Sequence, residues 1–268
     1  MTDEEKRLIS AARDAEADVF ADEEVVAAYV HRFPYGQEVY DVLLGLIADS
    51  PRTVLDAGCG LGNIARGLTQ HVDRVDAVDP SPAMIRAGKA NPGGNHPKLK
   101  WICATMERAY LSPPYALVVA GSSLHWMDYQ IVFPRFAEAL SENGLLALVA
   151  GGVPSSGEPW LDEEWALLAE YNPHIGKKLP RPHLKALTED GWFTVLGELT
   201  TQRTTHQQSV EDYIRACHSR GVYTSRIGAD RVAEFDSRLR AVLKRYSNDG
   251  FLRVGITESI VWGRPHAG

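Results

Sequence analysis

Between residues 53 and 150 short apolar runs alternate with longer stretches in which apolar side chains recur every three or four positions. The runs Thr53–Ala57, Arg74–Asp79, Leu99–Cys103, Tyr115–Ala120 and Leu145–Ala150 read as strands. Leu61–Thr69, Pro82–Lys89 and Ile131–Leu140 read as helices. Ser81 suits an N-cap and Pro82 the first helical position, because proline lacks an N–H that would be unpaired there anyway. Asn143-Gly144 predicts a turn before the fifth strand. This βαβ rhythm predicts a mostly parallel sheet covered on both faces.

Upstream, residues 3–31 read as helical. Asp22 can cap a helix whose first turn holds Glu23 and Glu24, beside the positive end of its dipole, with Val25, Val26, Tyr29 and Val30 as its apolar stripe. A second helix is expected over Glu38–Ala48, before a break at Ser50-Pro51. Downstream, Gly151 to Gly157 is loop-like, and residues 158–190 carry Trp160, Trp165 and Tyr171 in helical patterns. A strand near Trp192–Leu199, a helical stretch over Val210–Tyr246 and a strand near Gly255–Trp262 follow. The pattern divides the chain into an N-terminal helical lid, residues 1–35, and an α/β domain, residues 36–268. That domain carries cap insertions at about 153–191 and 207–248, with Trp160, Trp165 and Trp192 in the core of the cap.

Charge narrows the partners. The first thirty residues hold nine acids against three bases, so six of the seven net negative charges lie there. The remainder is close to neutral and has no basic stripe to neutralise phosphates, which argues against nucleic acid. Cys59, Cys103 and Cys217 have no paired spacing and read as free thiols of a reducing compartment. No apolar run approaches the roughly 18 residues of a membrane span. The expectation is a cytoplasmic protein, monomer or homodimer, that acts on a small molecule without membrane contact. The histidines His71, His96, His174, His183, His206 and His218 show no metal-ligand spacing.

The candidate chemistry centres on Val54-Leu55-Asp56-Ala57-Gly58-Cys59-Gly60-Leu61-Gly62-Asn63, a strand running through a glycine-rich turn into a helix. Glycines let a backbone adopt positive φ and approach a ligand closely. Gly60-Leu61-Gly62-Asn63-Ile64-Ala65 also fits a dinucleotide fingerprint, with Asp79 about where a ribose-binding acid would stand, so an NAD-dependent oxidoreductase is one reading. Against it, Asp56 puts a carboxylate near the turn, where a pyrophosphate would be repelled and a cation attracted. A third reading is a protein that binds a cofactor without catalysis.

These residues resemble the class I S-adenosylmethionine-dependent methyltransferases. Residues 54–62 match that family's first motif, and Val75-Asp76-Ala77-Val78-Asp79-Pro80-Ser81-Pro82-Ala83-Met84 is similar to its second strand, ending in the acid that binds the ribose. The likeness continues through Ala104-Thr105-Met106-Glu107 and Ser122-Ser123-Leu124-His125-Trp126. Leu124-His125-Trp126 with Phe133-Pro134 is similar to the trans-aconitate methyltransferase group, which esterifies small carboxylic acids. Arg32-Phe33-Pro34-Tyr35-Gly36 resembles a segment that these enzymes fold over the cofactor.

The resemblance implies a Rossmann-like, seven-stranded, mostly parallel sheet with helices on both faces and a helical cap. It implies S-adenosyl-L-methionine as cofactor and S-adenosyl-L-homocysteine as product. The cofactor residues it implies are Arg32, Asp56, Gly58, Gly60, Gly62, Asp79, Pro80, Ser81, Met84, Ala104, Thr105, Met106 and Ser122. His125 and Trp126 would meet the substrate, and His125 would be the catalytic candidate. A sulfonium already makes the methyl group electrophilic, so such a protein contributes chiefly alignment and exclusion of water. A carboxylate or other oxygen acceptor is the expectation, and an ionised carboxylate needs no base.

Overall fold

In the computed structural model, residues 23–155, 157–172, 184–220 and 227–267 are described. Of the helical stretch expected over residues 3–31, residues 3–22 lie outside them, and Glu23–Tyr29 forms α1. The remaining helices are α2 (Gln37–Gly45), α3 (Asn63–Leu68), α4 (Pro82–Ala90), α5 (Tyr129–Ala139), α6 (Leu161–Tyr171), α7 (Leu184–Glu189), α8 (Val210–His218) and α9 (Ala229–Lys244). The strands are β1 (Thr53–Ala57), β2 (Arg74–Asp79), β3 (Leu99–Cys103), β4 (Tyr115–Gly121), β5 (Leu140–Ala150), β6 (Phe193–Thr200), β7 (Thr204–Ser209), β8 (Phe251–Ile256) and β9 (Ser259–Pro265).

The chain forms two compact units. The sheet unit, residues 34–151, 181–202 and 258–268, holds a seven-stranded sheet in the order β3-β2-β1-β4-β5-β9-β6. β1 to β5 are parallel, and β9 runs antiparallel to both its neighbours. Alternate residues of the central strands feed two separate cores. Val54, Val75, Leu117, Val119 and Val149 join Val39 and Leu43 of α2 and Ile64 and Leu68 of α3. Leu55, Val78, Val118 and Leu146 join Val132, Phe133 and Phe136 of α5 and Leu187 of α7. That alternation follows from the two-residue strand period, and it places helices on both faces.

Ser81 caps α4 as expected, its hydroxyl accepting the Met84 N–H at 3.1 Å. The turn expected at Asn143-Gly144 is instead an irregularity inside β5. Leu140 pairs with Tyr115 and Leu145 with Leu117, so residues 141–144 bulge from the ladder. Asp49 holds that bulge by accepting the Asn143 backbone N–H at 2.8 Å and its side-chain amide at 2.9 Å. Gly144 is there for room: a Cβ would lie 2.8 Å from the Tyr115 carbonyl oxygen.

The helical unit comprises residues 1–33, 152–180 and 203–257. Its core joins Trp160, Leu168, Tyr171, Tyr213, Phe235 and Leu239 to Leu252 and Val254 of β8, which pairs with β7 in a separate two-stranded sheet. Trp160 is buried, and its indole donates to the Tyr213 hydroxyl at 3.1 Å. Two tryptophans depart from the expectation. Trp165 is exposed on α6, and Trp192 packs edge-on against Tyr129 within the sheet unit. Among the described residues, the helical stretch expected over Val210–Tyr246 holds α8 and α9, the second starting after Gly228 at φ +86°.

Candidate active site

The first parallel strands end together, and the turn after β1 is built by three positive-φ glycines: Gly58 at +71°, Gly60 at +53° and Gly62 at +68°. Two of them are needed for space as well as conformation. A Cβ on Gly58 would lie 2.5 Å from Ser123 Cβ, and one on Gly62 would lie 2.4 Å from Trp101 Cη2. A Cβ on Gly60 would meet nothing within 4 Å. The turn is therefore packed at both ends and open at its middle glycine.

Asp79, at the end of β2, is tied to that middle glycine. Its Oδ2 accepts the Gly60 N–H at 2.8 Å and its Oδ1 accepts the Ser81 N–H at 2.9 Å. Burial raises the carboxyl's pKa, and the two N–H donors oppose the rise. The Asp79 carbonyl accepts the Ala104 N–H at 3.1 Å, which brings the end of β3 alongside. Gly58, Gly60, Asp79, Pro80, Ser81 and Ala104 thus gather at one edge. Thr105 is exposed near it.

Asp56 behaves differently from its expected role. The carboxylate is 1% exposed and accepts the Ala65 N–H of α3 at 3.0 Å, so it faces the helix and not the opening. A ligand in the turn therefore does not meet the Asp56 carboxylate directly, and the expected repulsion of a pyrophosphate does not follow from its position. Burial, with a smaller contribution from the charge of Asp79, pushes its pKa up to about 7. Met84 and Met106 are also buried, the latter in the core with Leu55 and Val78.

Beyond β4 the chain makes a strained turn. Ser122 has φ +52°, rare for a residue with a side chain and a mark of a position held by its surroundings. Its N–H donates to the Val149 carbonyl at 2.7 Å, and the buried Ser123 hydroxyl donates to the Ala57 carbonyl at 2.5 Å. Leu124–Trp126 follows as one 3-10 turn, with the His125 and Trp126 rings 4.8 Å apart, both half-buried. Arg32 belongs to the helical unit. Its guanidinium donates to the Ser219 hydroxyl and carbonyl, both at 2.7 Å, and lies over the Tyr29 ring.

Sequence reasoning did not single out Trp101, Ser123 or Glu258. Trp101 could have been suspected from the glycines it packs on, since Cβ atoms at both Gly62 and Gly88 would strike its ring. Nothing local marks Glu258.

The sheet order, the glycine turn and the acid ending β2 define a Rossmann-like methyltransferase domain. Residues 54–144 match the family model described as "Methyltransferase domain". The chain is 28% identical over 218 residues to the trans-aconitate 2-methyltransferase of Streptomyces avermitilis, covering 74% of this chain and 81% of that one. It is 28% identical over 173 residues to the malonyl-acyl-carrier-protein O-methyltransferase of Halalkalibacterium halodurans, covering 62% of each. The same fold appears in a solved Anaeromyxobacter dehalogenans protein assigned to the type II methyltransferases. That likeness has TM-score 0.65 and 24% identity, over 88% of this chain and 99% of the other. Residues 54–144 therefore form a methyltransferase domain, and the chain is similar to the class I S-adenosylmethionine-dependent methyltransferases.

Proposed function

We propose that this enzyme transfers a methyl group from S-adenosylmethionine to a small acceptor bearing a carboxylate, releasing S-adenosylhomocysteine and a methyl ester. The observation that carries the donor site is the pairing of Asp79 with the open face of Gly60. In open α/β sheets ligands bind outside the carboxyl ends of the strands, where strand order reverses. Here that point is β1, flanked by β2 on one side and β4 on the other.

The residues suit the donor chemically. The Asp79 carboxylate can accept from the two ribose hydroxyls, a bidentate arrangement that a diol provides. Gly60 leaves the backbone bare for close approach by the amino-acid end. Ala104, bonded to the Asp79 carbonyl, and the exposed Thr105 are suited to meet the adenine. When bound, the sulfonium supplies the electrophilic methyl group.

The acceptor assignment rests on two relatives whose names specify acids, trans-aconitate and malonyl-acyl carrier protein. An ionised carboxylate is already nucleophilic, so the protein's task is to align its oxygen with the methyl carbon and to exclude water. His125 is suited to hydrogen-bond that carboxylate, with Trp126 as an apolar wall. Ser122 and Ser123 fix the start of their turn.

Methyl-labelled S-adenosylmethionine offered with a panel of di- and tricarboxylic acids, amines and phenols tests the assignment. Label recovered from the acids in a form released by mild alkali, as esters are, supports it. Alkali-stable label confined to amines or phenols refutes it.

A further inference from the structure

Segments far apart in sequence meet on one buried carboxylate. Glu258, 1% exposed, immediately precedes β9, whose first residue pairs with Ala150 at the end of β5. Its Oε1 accepts the Gly36 N–H at 3.0 Å, and its Oε2 accepts the Thr201 hydroxyl at 2.7 Å. The Glu258 N–H donates to the same hydroxyl at 2.9 Å, and the Thr201 N–H returns a bond to the Glu258 carbonyl at 2.9 Å. A Cβ on Gly151 would lie 2.5 Å from Glu258 Cγ, so the stem fills the space beyond β5. A buried carboxylate is costly unless hydrogen bonds replace its water, and this one has a donor on each oxygen.

What the clamp holds is Tyr35. The residue before Gly36 lies across the ends of β4 and β5: its hydroxyl is 3.1 Å from a Cβ built on Gly121, and its Cε1 is 3.3 Å from one built on Gly151. Gly121 leads into Ser122 at φ +52°, and Ser123 packs on Gly58. Contact therefore runs from Glu258 through Gly36, Tyr35 and Gly121 to the glycine turn, all within the sheet unit.

We propose that Glu258 is a positioning residue for the donor site: by fixing Gly36 it holds Tyr35 against the end of β4 and so sets the turn at Ser122-Ser123 beside Gly58. The inference rests on the reading that the donor binds at this edge. A glutamine at 258 keeps an oxygen for Gly36 and offers an N–H to Thr201, so the role depends on hydrogen-bond geometry and survives loss of charge.

The test is calorimetric titration of the full-length protein with S-adenosylhomocysteine. Glu258→Ala is expected to weaken binding about tenfold or more, and Glu258→Gln to stay within about threefold of wild type. Tyr35→Leu is expected to match Glu258→Ala, and the double variant to bind no worse than either single one, because both break the same chain of contact. Val72→Ala, a core change away from this chain, is expected to lower the melting temperature at unchanged affinity. If Glu258→Ala fails to fold, Thr201→Val with Tyr35→Leu completes the same cycle. Wild-type affinity in the folded Glu258→Ala or Thr201→Val protein, or losses that simply add in the double variant, overturns the proposal alone. A wild-type protein that binds no S-adenosylhomocysteine overturns the donor reading beneath it as well.

Discussion

The carboxylate of Asp79 and the backbone N–H of Gly60 are 2.8 Å apart, joining the ends of two adjacent parallel strands across the one glycine of the turn with open space beside it. The bond holds the turn in shape, and the same carboxylate is the group proposed to engage the ribose. Replacing Asp79 by Ala should therefore weaken S-adenosylhomocysteine binding at least tenfold, about 1.4 kcal/mol. Titration of the folded variant measures this, and unchanged affinity contradicts the ribose assignment.

Alanine at Gly60 and at Gly62 should have opposite balances of effect. Both glycines sit in left-handed backbone, where a Cβ costs roughly 1–2 kcal/mol. At Gly60 the new methyl projects into open space, so stability falls by about that amount while cofactor affinity drops sharply. At Gly62 the methyl also collides with Trp101, so the melting temperature falls further, and Trp101→Leu should restore part of it. Paired melting and titration curves decide; equal stability losses at the two positions would count against this account.

Asp56 makes stability depend on pH in an unusual direction. Its ordinary pKa of 3.8 is raised to about 7 in the folded protein, so the folded state holds a proton that the unfolded chain has lost. The contribution is complete below about pH 4 and is lost as pH rises through about 7. Asp56→Asn keeps an acceptor for the Ala65 N–H and removes the charge. It should leave stability similar at pH 4 and raise it at pH 8, by at most roughly 4 kcal/mol. Melting temperatures across that range test it; a variant less stable than wild type at pH 8 is the contrary result.

His125→Ala should lower turnover more than donor affinity, because the role proposed for the residue is to meet the acceptor. A fall in kcat/KM for the acid with unchanged S-adenosylhomocysteine binding is expected. Wild-type turnover would assign His125 a structural role beside Trp126.

The central part of the fold was legible because its signals are local. β1, β2 and β3 have the bounds that their apolar runs predict, and Ser81-Pro82 marks the start of α4. Where the signal is tertiary, the pattern misleads. β7 reads Thr-Thr-His-Gln-Gln-Ser, with no apolar alternation, and becomes a strand because β8 pairs with it. The bulge of β5 depends on Asp49, which lies almost a hundred positions earlier in the chain. In the site, Gly58, Gly60, Gly62 and Asp79 announce themselves by spacing. Asp56 does not disclose that it turns inward, and Glu258 is an isolated acid until Gly36 and Thr201 arrive beside it.

The most direct measurement is a parallel titration of the wild-type protein with S-adenosylhomocysteine and with NADH. An adenosyl amino acid held across the ends of β1 and β2 predicts saturable heat with the first, lost in Asp79→Ala, and none with the second. Saturable binding of NADH with no response to S-adenosylhomocysteine would contradict it.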